Sequence, residues 1–200
     1  TLRALEAIAA LEDMHDPAGR CLRESAEHLS DVHILILAIL FHDLGKSEGD
    51  IHVDASVRLT RQVCERIGLS PDDEERIEFL VKHHLLMTNI SQFRDIDDEN
   101  IVRSFAETVK TEQRLRSLFL LTYADLSAVG PNVWNEWKGA LLLKLYLRAE
   151  RMLLGRAETL DEDVWRARKA VEVRELLSGP LAEEVEDHLR ALGERYLVAF

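Results

Sequence analysis

The adjacent pair His42 and Asp43 is the first feature of this sequence that could do chemistry. A neutral imidazole and a carboxylate can bind one divalent cation together, with Mn²⁺ or Mg²⁺ expected and Fe²⁺ or Zn²⁺ as alternatives. The pair ends an apolar run over residues 34–41, so we expect Asp43 to be buried, and a buried carboxylate needs a partner or a metal. Alone, a His-Asp pair more often marks a histidine bonded to a backbone carbonyl beside an acid in a local salt bridge.

Further candidate ligands stand on other predicted helices. His83 and His84 are adjacent near the end of one helix. Asp125 is an acid inside an apolar helix, and His52 follows the first pair closely. Two adjacent histidines alone more often lie on a polar surface, whereas an acid in such an apolar helix needs a metal, a base or several hydrogen-bond donors. Together they supply up to six ligands, enough for one octahedral ion or for two: His42, Asp43, His52, His83, His84 and Asp125.

A centre of this kind indicates phosphoryl chemistry. Divalent ions orient a water molecule, lower its pKa and stabilise in-line displacement at phosphorus. Lys46, just past the end of the predicted helix, could neutralise a substrate phosphate, or it could be a solvated lysine. The sequence therefore predicts a metal-dependent phosphohydrolase.

Composition narrows the class of protein. The 200 residues fit one ordinary domain, and 46% hydrophobic with 31% charged residues allow a packed core under a charged surface. A formal net charge of −12 argues against nucleic acid as a partner, because a phosphate backbone needs a basic face. Cys21 and Cys64 have no metal-type spacing, so reduced thiols in a cytoplasmic protein are expected. The apolar run is too short for a membrane span, and the amphipathic start shows no signal-peptide pattern.

The elements that must position these residues are predicted to be helices, since apolar residues recur at three- and four-residue steps and strand signals are scarce. Ser70 and Thr111 are expected N-caps, and Gly45 and Gly68 are expected stops. We predict a polar loop over residues 88–98. The predicted helices cover residues 2–16, 21–29, 32–44, 53–67, 71–86, 98–109, 111–129, 132–154, 161–177 and 181–192.

Trp134 and Trp137 lie on the predicted apolar stripe of the helix over residues 132–154. Indole rings can stack on a nucleotide base, but a three-residue spacing on an apolar face is more typical of core residues. We therefore predict that both tryptophans pack in the core.

The run His42-Asp43-Leu44-Gly45-Lys46 resembles the signature of the HD phosphohydrolase superfamily. Other stretches are similar to the HD domain of the bifunctional PII uridylyltransferase/uridylyl-removing enzymes. The resemblance is strong over residues 1–154 and looser as far as residue 196. The stretches that carry this second resemblance are residues 81–87, 93–98, 121–126 and 133–138.

This resemblance implies an all-α fold, an HD-domain helical bundle over residues 1–155 with a C-terminal helical extension over residues 156–200 packed on it. It implies metal-dependent removal of UMP from a tyrosine of the uridylylated PII signal protein, in the regulation of nitrogen metabolism in the bacterial cytoplasm. Members of that family also carry a nucleotidyltransferase domain and glutamine-sensing ACT domains. This sequence shows the pattern of neither, so we expect it to be the HD domain alone.

The resemblance also implies roles within the site. Asp43, Lys46 and His83 are the expected catalytic residues. The family carries one more histidine ligand on the first helix, which here would lie upstream of residue 1, and neither His15 nor His28 replaces it by position. The spacing around His52 departs from the family pattern. The implied metal ligands are His42, Asp43 and Asp125, with these supporting ligands or phosphate contacts: His83, His84 and His52.

Two other functions fit the same residues. One is an HD hydrolase of free nucleotides such as (p)ppGpp or dNTPs, which the acidic net charge does not exclude. The other is a catalytically inactive helical module that binds a partner or a nucleotide, because the histidine expected upstream is not in this sequence. Binding of a stoichiometric divalent ion would separate the hydrolases from the inactive module.

Overall fold

The computed structural model describes residues 1–47, 52–130 and 133–154, and these residues form nine α-helices without a β-strand. The all-α prediction is confirmed. The predicted helices at 161–177 and 181–192 lie outside the described residues, and the domain boundary at residue 155 stays a prediction. The helices are α1 (Leu2–Ala9), α2 (Pro17–Glu27), α3 (Val32–Phe41), α4 (His52–Ile67), α5 (Pro71–His83), α6 (Leu86–Phe93), α7 (Glu99–Val109), α8 (Glu112–Val129) and α9 (Glu136–Leu153). A 3-10 turn, Leu11–Asp13, follows α1.

Polar residues at the helix starts explain where several helices begin. In each case a side-chain oxygen accepts a hydrogen bond from a backbone N–H three residues later, which satisfies a donor that the helix leaves unpaired. Pro17 and Pro71 occupy the first turn of their helices, where a missing N–H costs little. The capping pairs are Asp16 with Gly19 (3.0 Å), Ser70 with Asp73 (3.1 Å), Thr111 with Arg114 (3.3 Å) and Asn135 with Lys138 (3.0 Å).

Helix α8 is the centre of the fold. Every residue from 117 to 124 is buried, so this helix must be covered on all sides. Helices α1, α2, α3, α5, α6, α7 and α9 all pack on it, while α4 packs on α5. Asp125 follows the buried run directly and is 21% exposed, so α8 carries a carboxylate at the margin of the core. No helix in the described ranges is both long enough and apolar enough to cross a membrane.

Helix α6 corrects the loop predicted over residues 88–98. The chain is helical as far as residue 93, because Met87 and Ser91, one helical turn apart, are both buried. Four polar side chains between residues 88 and 92 hide this short repeat in the sequence. Helix α5 ends three residues earlier than predicted, so His84 stands at its C-cap, in the junction between two helices.

Trp137 is a second correction. Helix α9 begins at Glu136 rather than at residue 132. Trp134, before the helix, is half-buried and packs edge-on against the ring of Tyr123, with 4.9 Å between centroids. Trp137 is 62% exposed, so the prediction that both rings lie in the core was wrong for this one. The later start places Trp137 in the first turn and off the face of α9 that is buried, which consists of Gly139, Leu142, Leu145, Tyr146 and Ala149.

The two tryptophans should therefore differ in their effect on stability. We expect Trp134→Ala to lower the free energy of unfolding by about 2 kcal/mol, since it removes a large half-buried ring. We expect Trp137→Ala to change it by less than about 0.5 kcal/mol, as is usual for an exposed position. Urea denaturation of both variants measures the difference. Equal losses would contradict the exposure of Trp137.

Candidate metal centre

A tight turn after α3 presents the first two candidate ligands. The helix ends one residue before His42 rather than at residue 44, and residues 42–45 form a turn. The His42 N–H still donates to the Ala38 carbonyl (2.9 Å), so the ring leaves the helix from a fixed position. His42 is 3% exposed and Asp43 is 23% exposed. The apolar helix thus ends on a buried imidazole followed by a half-buried carboxylate.

Gly45 brings this turn into direct contact with α4. A Cβ at this position would lie 2.5 Å from the Ala55 Cβ, 2.5 Å from the Ser56 backbone nitrogen and 2.7 Å from the His52 carbonyl oxygen. The Gly45 N–H donates to the Ser56 hydroxyl (2.9 Å). The missing side chain therefore lets Asp43 and His52 come close although they belong to different segments.

His42 and His84 have the same hydrogen-bonding pattern. The His42 Nδ1 lies 2.8 Å from the Ile39 carbonyl oxygen, and the His84 Nδ1 lies 2.6 Å from that of Val81. Because a carbonyl oxygen only accepts, each Nδ1 carries a proton and donates it. Each Nε2 is then the nitrogen that can bind a cation, and such backbone bonds orient histidine ligands in metal sites. The backbone-bonded histidine that seemed an alternative to metal binding is thus compatible with it.

Asp125 and Asp43 both lie near the His42 Nε2, with Oδ1 of Asp125 at 3.4 Å and Oδ2 of Asp43 at 3.7 Å. Burial opposes a charge on His42, but its interactions with Asp125 and Asp43 outweigh burial and raise its pKa. Burial also opposes the charge on Asp43, but Lys46 and His42 outweigh it and lower the pKa of Asp43. The Lys46 Nζ is 2.5 Å from Asp43 Oδ2, and the lysine side chain is 73% exposed. Two carboxylates beside buried imidazoles create a site that a divalent cation would neutralise.

Asp43, His52 and His84 form a group that could hold a metal ion. One ligand atom from each lies within 4.8 Å of the other two. The ring centroid of His84 is 5.3 Å from that of His42 and 6.2 Å from that of His52. Neighbouring ligand atoms around a first-row ion stand about 3 to 3.5 Å apart, so the three side chains would have to close around the ion to bind it. The residues therefore fit a divalent metal, with His42 and Asp125 beside the group.

His83 is set apart from the other five candidates. Its ring packs on Phe79, with 4.8 Å between centroids, and the Arg114 guanidinium lies 4.5 Å from the same Phe79 ring. Burial, Lys82 and Arg114 lower the pKa of His83. Burial also lowers the pKa of His84, but there the two site carboxylates, Asp125 and Asp43, act in the opposite direction. Among the described residues, the ring of His83 contacts the ring of Phe79 and contacts neither of the histidine rings in the group, His52 and His84. The ligand and catalytic roles of all the candidates stay predictions.

Ser56 was missed by the sequence analysis. Its hydroxyl contacts the turn that carries Asp43, but a serine inside an amphipathic helix looks like many others. The one available signal was its position four residues after His52, which puts both residues on the same face of a helix.

Comparison with known proteins identifies the family of this chain. The HD domain family matches residues 5–128. The chain is also 38% identical over 169 residues to the bifunctional uridylyltransferase/uridylyl-removing enzyme of Gluconobacter oxydans (strain 621H). That match covers 84% of this chain and 18% of the relative, so the chain spans less than a fifth of the length of the curated relative it matches. No solved structure gave a significant match.

The fold and the site define a domain of the metal-dependent phosphohydrolase class. This chain belongs to the HD domain family. The predicted enzyme class is confirmed.

Proposed function

We propose that this HD domain hydrolyses a phosphodiester bond and releases UMP from the uridylylated PII signal protein. One observation carries the proposal: Asp43, His52 and His84 come within 4.8 Å of one another in a chain that is 38% identical to a uridylyl-removing enzyme. The group of carboxylate and imidazoles supports metal-dependent chemistry at phosphorus. The uridylyl-removing activity named for the relative supports a uridylylated substrate.

The residues divide into those that we assign to hold the ion and those that can complete its ligand set. A bound divalent ion supplies Lewis-acid charge and lowers the pKa of a water molecule. We assign Asp43, His52 and His84 to hold it, with Mn²⁺ or Mg²⁺ expected and Fe²⁺ or Zn²⁺ as alternatives. Oδ1 of Asp125 lies 3.4 Å from Nε2 of His42, so these two ligand atoms lie close enough to complete the ligand set of the same ion.

The wider protein is also part of the proposal. We place the HD domain at residues 1–155 and a helical extension at residues 156–200, within a longer cytoplasmic enzyme that carries nucleotidyltransferase and ACT domains. The match covers 18% of the relative, which supports a longer enzyme. With a net charge of −12, the expected partner is a protein rather than nucleic acid or a membrane surface.

The decisive test offers several substrates to the same protein in the presence of Mn²⁺. Uridylylated PII, (p)ppGpp and dNTPs are incubated in parallel with the chain and with a version extended upstream to include the histidine expected there. UMP released from the protein substrate alone supports the proposal. Turnover of free nucleotides without UMP release would refute it in favour of a nucleotide hydrolase. Absence of stoichiometric Mn²⁺ binding to the extended chain would refute both and favour an inactive helical module.

Lys46 provides a prediction specific to the substrate phosphate. Because its Nζ contacts Asp43 from the solvent side, the ammonium can turn to an incoming phosphate oxygen. We expect Lys46→Met to raise KM for the uridylylated protein and to lower kcat/KM about tenfold, the value of one charge-assisted hydrogen bond. Lys46→Arg should keep most of the activity, and neither change should affect stability much, because an exposed ion pair contributes little. An unchanged KM in Lys46→Met would leave the lysine as a solvated partner of Asp43.

A further inference from the structure

Ser56 lies where two segments that carry candidate ligands meet. Its side chain is 0% exposed within α4, and its hydroxyl accepts a hydrogen bond from the Gly45 N–H (2.9 Å). The next N–H along the chain, that of Lys46, bonds within the turn to the Asp43 carbonyl oxygen (3.1 Å). The Gly45 N–H is thus a donor through which α4 holds the turn.

This bond connects the candidate ligands themselves. Ser56 and His52 are four residues apart on α4 and share a face of the helix. Asp43 stands two residues before Gly45 in the turn. A buried N–H that loses its acceptor is costly, so the Gly45–Ser56 bond favours one register of the turn against α4. That register brings the ligand atoms of Asp43 and His52 within 4.8 Å of each other.

We propose that Ser56 is a positioning residue of the metal centre, which acts by fixing the turn of Asp43 against the helix of His52. This inference rests on the metal-dependent function proposed above. Thr60 offers a matched contrast, since it lies one turn further along α4, is also 0% exposed, and its hydroxyl has no hydrogen-bond partner in the described part of the chain. A hydroxyl that only fills space should affect stability and not metal affinity.

Titration calorimetry with Mn²⁺ on the 200-residue chain tests the proposal through four proteins: the unaltered chain, Ser56→Ala, Ser56→Cys and Thr60→Ala. We expect Ser56→Ala to bind Mn²⁺ at least about tenfold more weakly, as is typical when the support of a metal ligand is removed. Ser56→Cys should have an intermediate affinity, because a thiol is a weak acceptor. Thr60→Ala should keep the unaltered affinity even if it unfolds at a lower temperature.

Amide hydrogen exchange of Gly45 gives a readout that needs no metal. Exchange should be faster in Ser56→Ala, since the N–H has lost its acceptor. Unchanged exchange would overturn the proposal, as would equal Mn²⁺ affinity in the unaltered chain and the Ser56 variants. Absence of Mn²⁺ binding by the unaltered chain would overturn a metal site held by Asp43, His52 and His84, and the role of Ser56 with it, while the extended chain still tests the proposed function. If Ser56→Ala does not fold, the comparison of Ser56→Cys with Thr60→Ala decides by the same criteria.

Discussion

Replacement of Asp43 by alanine is expected to abolish divalent-metal binding and hydrolysis while helix content stays unchanged. Asp43 offers an oxygen to the group with His52 and His84, whose ligand atoms lie within 4.8 Å of one another. Loss of a residue that only supports a ligand lowers metal affinity about 10- to 100-fold, so loss of the ligand itself should exceed that. Because Asp43 lies in the turn between α3 and α4, its removal breaks no helical hydrogen bond.

Three measurements check this expectation: Mn²⁺ titration, UMP release and far-UV circular dichroism. Asp72→Ala is the matched control, because this carboxylate is 83% exposed and lies in the first turn of α5. It removes the same charge from the chain without touching the group. Unchanged Mn²⁺ affinity in Asp43→Ala would reject Asp43 as a ligand. An equal loss in Asp72→Ala would attribute the effect to net charge rather than to the site.

Gly45→Ala is expected to have the second largest effect, although it adds a single methyl group. Two of the atoms that the new Cβ would meet, at 2.5 and 2.7 Å, belong to the α4 backbone at Ser56 and His52. A rotamer change of a neighbour cannot relieve such contacts, so the turn and α4 must separate. We expect the free energy of unfolding to fall by about 2 kcal/mol, as in other overpacked sites. Mn²⁺ affinity should fall with it, since His52 moves away from Asp43.

Gly130→Ala is the control for this substitution. Among the described residues beyond its chain neighbours, the nearest atom to a Cβ there is the Val133 Cγ2 at 4.0 Å, and the backbone is extended at φ 165°. We therefore expect a change in stability within about 0.5 kcal/mol and an unaltered Mn²⁺ affinity. Urea denaturation and Mn²⁺ titration of the two variants give the comparison. If Gly45→Ala behaved like Gly130→Ala, the close packing of the turn on α4 would be contradicted.

Several features of the fold were predictable because they depend on neighbours in sequence. The caps at Ser70 and Thr111 need only a side-chain oxygen and an N–H three residues later, and both form as expected. The helix with Asp125 follows from its apolar residues, and the HD class follows from His42 and Asp43 with their companions. The local pattern did not predict α6, because polar side chains interrupt its apolar repeat and its buried positions depend on contacts with α8 and α9.

By itself, the sequence determined that this protein is an all-α HD domain with a group of histidines and carboxylates suited to a divalent ion. Only the tertiary structure separated His83 from His84, which look equivalent as neighbours. Successive residues of a helix differ in direction by about 100°, so one ring packs on Phe79 while the other joins Asp43. It also brought the His42–Asp43 turn onto α4 through Gly45, because that contact depends on how two segments pack and not on either alone.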